Sequence, residues 1–135
     1  MSAVDASKIW SLNYRVLLSV VSCVEADLSA IGLDSKELFL LAEVDEHPYP
    51  AELAATLSMP KATVTVYLKR LEAAGFVRRE IDRDDLRRHR LLLTPAGRQA
   101  TTDGLALLSG AFNERLRRLS AAQQRELKNL LENIL

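Results

Sequence analysis

The run Asp82–Arg90, DRDDLRRHR, packs four arginines and three aspartates into nine residues. A carboxylate close to a guanidinium can grip it through two nitrogens, because the planar arginine fork matches a carboxylate. An arginine held that way at a loop tip is equipped for phosphate contact. It is also suited to a narrow A·T-rich minor groove, where negative potential concentrates. A second candidate set is Lys61, Ala62, Thr65, Val66 and Lys69. Small Ala and Thr side chains let a backbone approach base edges, and Thr offers both a hydrogen-bonding hydroxyl and a methyl that suits thymine. Lys69 and Arg70 suit phosphates, which position a protein without reading sequence. A charged run is usually a solvated loop, and a basic helix face is usually solvated too. The elements that carry the residues decide the matter.

Ala51–Leu57 carries Leu53, Ala54 and Leu57 at i, i+1 and i+4, a short one-faced helix. Pro50 suits its first turn, where a missing N–H costs nothing. Ser58, Met59 and Pro60 break the pattern, and a second helix is expected from about Pro60 to Ala74, closed by Gly75. Its apolar stripe is Val64, Leu68 and Leu71, which leaves the candidate set on the other face. Phe76–Ile81 then reads as a strand and Leu91–Leu93 as its return, with Asp82–Arg90 between them. That segment holds no Gly, so a long loop is favoured over a tight two-residue turn. Two helices across a three-residue turn followed by a basic hairpin make a winged helix-turn-helix, which sets one helix in the major groove and a hairpin tip beside it.

The chain resembles the MarR family of bacterial transcriptional regulators. The matching elements are Glu52-Leu53-Ala54, Ala62-Thr63-Val64-Thr65, Lys69 through Val77 (KRLEAAGFV), the triplet Asp85-Leu86-Arg87, and Leu93-Thr94-Pro95-Ala96-Gly97. The resemblance covers roughly residues 50–97, and the flanking helices fit in pattern only. It implies a cytoplasmic homodimer, a pseudo-palindromic double-stranded DNA operator and often a small-molecule or redox inducer. It makes Arg87 the wing arginine and Asp85 its buttress. Val66 stands where many relatives carry arginine, so base readout there is expected to be apolar or to fall to Thr65. The DNA-facing set is then Lys61, Ala62, Thr63, Thr65, Val66, Lys69 and Arg70 on the helix, with Arg83, Asp85, Arg87 and Arg88 on the wing.

The expected fold class is mainly α with a small β-hairpin wing. A chain of 135 residues reads as a single domain. Within it, 34–95 is the expected DNA-binding lobe, and 1–31 with 96–135 the helical dimerisation lobe. The first helix spans about 6–31, with Ile9, Leu12, Val16, Val20, Cys23 and Val24 at helical spacing, and Gly32 closes it. Asp34-Ser35 opens the next. Thr94 and Pro95 read as N-cap and N1 of a fifth helix that continues to Leu119. Gly104 and Gly110 weaken that helix or let it bend. Ser120 caps the last. Ile9, Leu12, Leu127, Leu130, Leu131 and Ile134 form more apolar surface than one small chain covers, which points to a two-fold contact.

Lys plus Arg and Asp plus Glu both number 18, so net charge is zero. The distribution is uneven. Residues 61–90 hold nine basic against five acidic side chains, and residues 25–60 hold one against eight. That asymmetry fits local docking on DNA. No apolar run reaches a membrane span, and the N-terminus lacks a signal pattern, so no membrane role or export is expected. Cys23 is expected as a small buried core residue, with no Lys, Arg or His within a turn. His47, His89 and one Cys offer no metal-ligand spacing. No catalytic or cofactor motif is present, so neither enzyme activity nor a cofactor is expected. Trp10, Tyr14 and Tyr49 could line an effector pocket between the lobes, or be plain core or interface aromatics. The rival function is a winged-helix protein–protein module without a DNA target. A basic wing with Asp85 and Arg87 argues against it.

Overall fold

The computed structural model describes residues 3–135. In chain order the elements are α1 (Ala6–Ala30), α2 (Ser35–Glu43), α3 (Pro50–Thr56), α4 (Lys61–Ala73), β1 (Val77–Ile81), β2 (His89–Leu93), α5 (Pro95–Leu116) and α6 (Ala121–Ile134). The strands pair antiparallel, from Val77 opposite Leu93 to Ile81 opposite His89. The fold class is as expected, mainly helical with one hairpin.

Local chemistry sets the boundaries. Asp34 caps α2 through the Glu37 N–H, and the Glu37 side chain returns the bond to the Asp34 N–H. Pro50 opens α3 at N1. Pro60 sits one place outside α4, as its N-cap rather than its first residue. α1, α3 and α4 end alike, with paired bonds back to carbonyls near the helix end. Leu33 N donates to Leu28 O, Met59 N to Ala54 O and Phe76 N to Leu71 O. Each such ending places one residue in the left-handed region. Gly32 and Gly75 take it at no steric cost, and Ser58 takes it at φ 52°.

The chain forms two compact units. One is Glu25–Ala106, with α2 to β2, the end of α1 and the start of α5. The other joins the described residues up to Val24 with Leu107–Leu135. Leu28 near the end of α1 and Ala100 near the start of α5 are buried within the first of these units. Among the described residues, the ten largest fully buried side chains all lie in Glu25–Ala106, with Leu38, Leu53, Val64, Leu68, Leu71 and Leu91 among them. Each contributes about 1.5–3 kcal/mol of burial. The stripe expected on α4 is therefore core. On α1 only the later part of the expected stripe is buried, at Val20 and Val24, while Ile9, Leu12 and Val16 are open.

α5 continues through Gly104 as one helix. A Cβ there would stand 2.6 Å from Leu38 Cδ1, so the glycine lets α5 pack close to α2. α5 ends at Leu116, short of Leu119, because Gln124 Nε2 donates to the carbonyls of Leu116 and Leu119 and closes the turn.

Candidate nucleic-acid interface

α4 buries Val64, Leu68 and Leu71 and turns Lys61, Ala62, Thr65, Val66, Lys69 and Arg70 to solvent, with Thr63 half-buried. Thr65 Oγ1 donates to the Lys61 carbonyl at 3.0 Å, which leaves its oxygen free to accept. Val66 is 50% exposed, an apolar spot amid polar and basic neighbours. The Arg70 guanidinium lies 5.2 Å over the Tyr67 ring, a cation–π contact that steadies it along the helix. Sequence reasoning did not pick out Tyr67, because nothing in its spacing distinguishes it from core.

The wing is tied to α4 from its first strand, where Arg79 Nε donates to Glu72. Arg78 donates to Glu80 at 2.9 Å. These two arginines are therefore occupied, although they lie in the basic segment. β2 starts at His89, earlier than the expected Leu91, because His89 and Arg90 pair with Ile81 and Glu80. The tip is correspondingly shorter. Phe76 lies just outside β1.

At the tip, Arg87 Nε donates to Asp85 Oδ1 at 3.1 Å and Nη2 approaches Oδ2 at 3.5 Å. The Arg87 backbone N–H also donates to Asp85 Oδ1, at 3.0 Å. The arginine and its backbone hold the Asp85 carboxyl below its usual range. The Arg87 side chain is still 91% exposed. The fork is aimed, yet its outer face is open. Arg83 and Leu86 are exposed on the same tip.

Arg88, expected among the DNA-facing residues, makes further contacts within the wing and leaves half its side chain exposed. Its Nε donates to Asp82 Oδ2 at 3.0 Å, and its guanidinium lies 3.9 Å over the ring of Tyr49. It is turned back to the base of the wing, so it anchors the tip first. Tyr49 accordingly lies under the wing, bonded through its hydroxyl to Asp82. Trp10 and Tyr14 stack on each other on α1, centroids 5.8 Å apart, and both are exposed.

The expected burial of Cys23 does not hold: its thiol is exposed. It also has a cation beside it that no residue within a turn on α1 supplies. Arg115, from α5, brings Nη2 within 3.4 Å of Cys23 Sγ. The same guanidinium donates to Ser19 Oγ at 2.9 Å, Ser19 O at 3.0 Å and Ala111 O at 2.9 Å, clasping α1 to α5. A groove of about 440 Å³ lies beside this clasp, lined by Leu12, Val16, Phe112, Leu127 and arginines that include Arg15 and Arg118. Of the six residues expected at a dimer contact, five are exposed and Leu127 is half-buried in the groove. His47 has acidic neighbours, Glu43 at 3.9 Å and Glu52 at 3.8 Å. With Glu46 and Glu43 it groups ligand-type atoms within 4.8 Å, a cluster hidden from a count of His and Cys.

A helix pair with one exposed small-and-basic face, followed by a hairpin tipped with a buttressed arginine, defines a winged helix-turn-helix protein. The sequence model of the MarR family matches residues 31–88. The HTH-type transcriptional repressor Rv2887 of Mycobacterium tuberculosis is 33% identical over 136 residues, covering 99% of this chain and 98% of its own. A crystal structure of that protein in complex with DNA aligns at TM-score 0.75 and 32% identity, covering 98% of each chain. Its complex with salicylic acid aligns at 0.77 and 32%, covering 99% of this chain and 98% of that one. The chain belongs to the MarR family of transcriptional regulators. Among the described residues no single helix is long and apolar enough to cross a membrane.

Proposed function

We infer that this protein is a dimeric transcriptional repressor that binds a pseudo-palindromic operator, releases it on binding a small molecule, and works in the cytoplasm without enzymatic activity. The observation that carries this is Arg87: forked on Asp85, open on its outer face, and mounted beside a helix whose small and basic residues face solvent. Ala62, Thr63, Thr65 and Val66 read base edges, and Val66 and the Thr65 methyl favour thymine. Lys61, Lys69, Arg70 and Arg83 hold phosphates. Ile9, Leu12, Leu127, Leu130, Leu131 and Ile134 meet a second copy, so that residues 34–95 form the reading lobe and the terminal helices the dimer lobe. The DNA complex of the mycobacterial relative supports the partner, and its salicylic acid complex supports a small aromatic acid as the class of effector. Such a ligand releases DNA only by favouring a conformation that fits the duplex less well.

Arg87→Ala tests this. The side chain is exposed, so folding and melting temperature should not change. Affinity for a duplex selected by the native protein should fall by about 1–3 kcal/mol if a groove contact is lost. Titrations at one fixed salt concentration decide it, since salt alone moves such affinities. Unchanged affinity in a well-folded variant would remove the wing from the interface.

A further inference from the structure

The junction between α2 and α3 is bonded to the base of the wing at several points, none of which the hairpin needs in order to close. Leu91 N donates to Pro48 O at 2.8 Å. The Tyr49 hydroxyl donates to Asp82 Oδ2. Arg88 lies on the Tyr49 ring and donates to the same carboxylate oxygen. The other oxygen, Oδ1, accepts the Asp84 N–H at 2.8 Å. Asp82 is only 5% exposed, and a carboxylate that far from water costs stability unless donors surround it. Here they do, and the carboxyl is held down to about 2, first by Tyr49 and then by the Asp84 N–H. Its native value lies below the ordinary one, so the charge, and the stability it brings, persist above that range and vanish only as pH falls toward 2.

Asp82 and Arg88 are the two stem residues of the tip. The Asp82 N–H donates to the Arg88 carbonyl at 3.0 Å, and the Arg88 N–H donates to the Asp85 carbonyl at 3.1 Å. A continuous set of bonds therefore runs from Tyr49 through Asp82 and Arg88 to Asp85, and from Asp85 to the guanidinium of Arg87. A lone two-stranded hairpin is marginally stable and has no third strand to set its twist. We propose that Tyr49, Asp82 and Arg88 form a latch that fixes the wing against the α2–α3 junction, so that Tyr49 and Asp82 are positioning residues for the DNA contact of Arg87. This rests on the wing meeting DNA, as read above. The latch residues need not touch DNA. They lower the cost of ordering the tip on binding, as preorganisation does.

A double-mutant cycle tests it, using a duplex selected from a random-sequence library by the native protein. Tyr49→Phe keeps the ring under Arg88 and removes only the hydroxyl. Binding should weaken about tenfold, the scale of one hydrogen bond to a charged group; the melting temperature also falls, because Asp82 loses a donor, so binding is measured well below the variant's own transition. In the Arg87→Ala background the same change should cost less than about twofold, because coupled residues are not additive. Asp82→Asn should show the same dependence on Arg87. Equal losses with and without Arg87 would make the cluster merely structural and overturn the latch. So would native affinity in Tyr49→Phe when Arg87→Ala alone binds poorly. If Arg87→Ala itself binds normally, the reading of the wing as a DNA contact fails, and the latch fails with it.

Discussion

Gly97→Ala should melt roughly 10 °C below the native protein, an outsized effect for one methyl group. A Cβ at this position would stand 1.9 Å from the Phe76 carbonyl oxygen and 2.7 Å from its carbon. Both are backbone atoms, so no side-chain rotation relieves the collision. The first turn of α5 would have to draw away from the end of α4. That movement breaks the bond from Thr94 N to Phe76 O at 3.0 Å and the one from Thr94 Oγ1 to Gly75 O at 2.5 Å. Overpacking costs about 1–3 kcal/mol and more against rigid neighbours. Alanine's better helix propensity returns only about 1 kcal/mol. Gly110, in the same helix, is the control: nothing lies within 4 Å of its Cβ position. Gly110→Ala should therefore raise the melting temperature slightly. Calorimetry of both variants checks the pair, and a Gly97→Ala protein as stable as native would disprove the close approach.

Replacing Leu131 and Ile134 with glutamate should convert the protein to monomers and weaken operator binding by roughly a hundredfold or more, the scale lost when two linked half-site contacts become one. α6 has no buried residue, and Ile134 is 80% exposed. Leu127, Leu130, Leu131 and Ile134 line one side of it, and Ile9 and Leu12 are open on α1. Each such side chain is worth about 1.5–3 kcal/mol when covered. A two-fold contact covers every one of them twice. The native protein should sediment at about twice 15.0 kDa and the variant at the single-chain mass. A native monomer, or a variant that stays dimeric, would refute the assignment. So would a monomeric variant with native affinity for a palindromic duplex.

Much of this was legible because certain residues admit few roles. Gly32 and Gly75 mark helix ends through their positive φ, and both are found there. Ser58 does the same work in the helix-turn-helix turn, but serine marks many loops, so its left-handed backbone could not be foreseen. Thr94, Pro95 and Gly97 form a readable group for separate reasons. Thr94 accepts from the Gly97 N–H at 3.0 Å, Pro95 fills the first helical position, and Gly97 clears the Phe76 carbonyl. The α4 stripe was legible from its period. Contacts between distant positions were not. Tyr49 meets Asp82 across 33 residues, and Arg115 meets Cys23 across 92. No local pattern announces either. Hence the Tyr49 and Arg88 contacts are invisible in the sequence, and the exposure of Cys23 runs against its spacing.

The end of the chain shows where ordering entropy is settled. Ser120 and Gln123 exchange a capping box, and Gln124 reaches back to two carbonyls before it. A helix of 14 residues is short to stand alone in water. This one is held by its own start, by the turn before it and by the half-buried Leu127 in the groove, while the rest of its apolar side stays open. Its capping bonds are all made within the chain. Fixing each residue costs about 1–2 kcal/mol, and here that cost falls on folding. An association that begins from an ordered helix keeps the free energy that a disordered tail would surrender on binding.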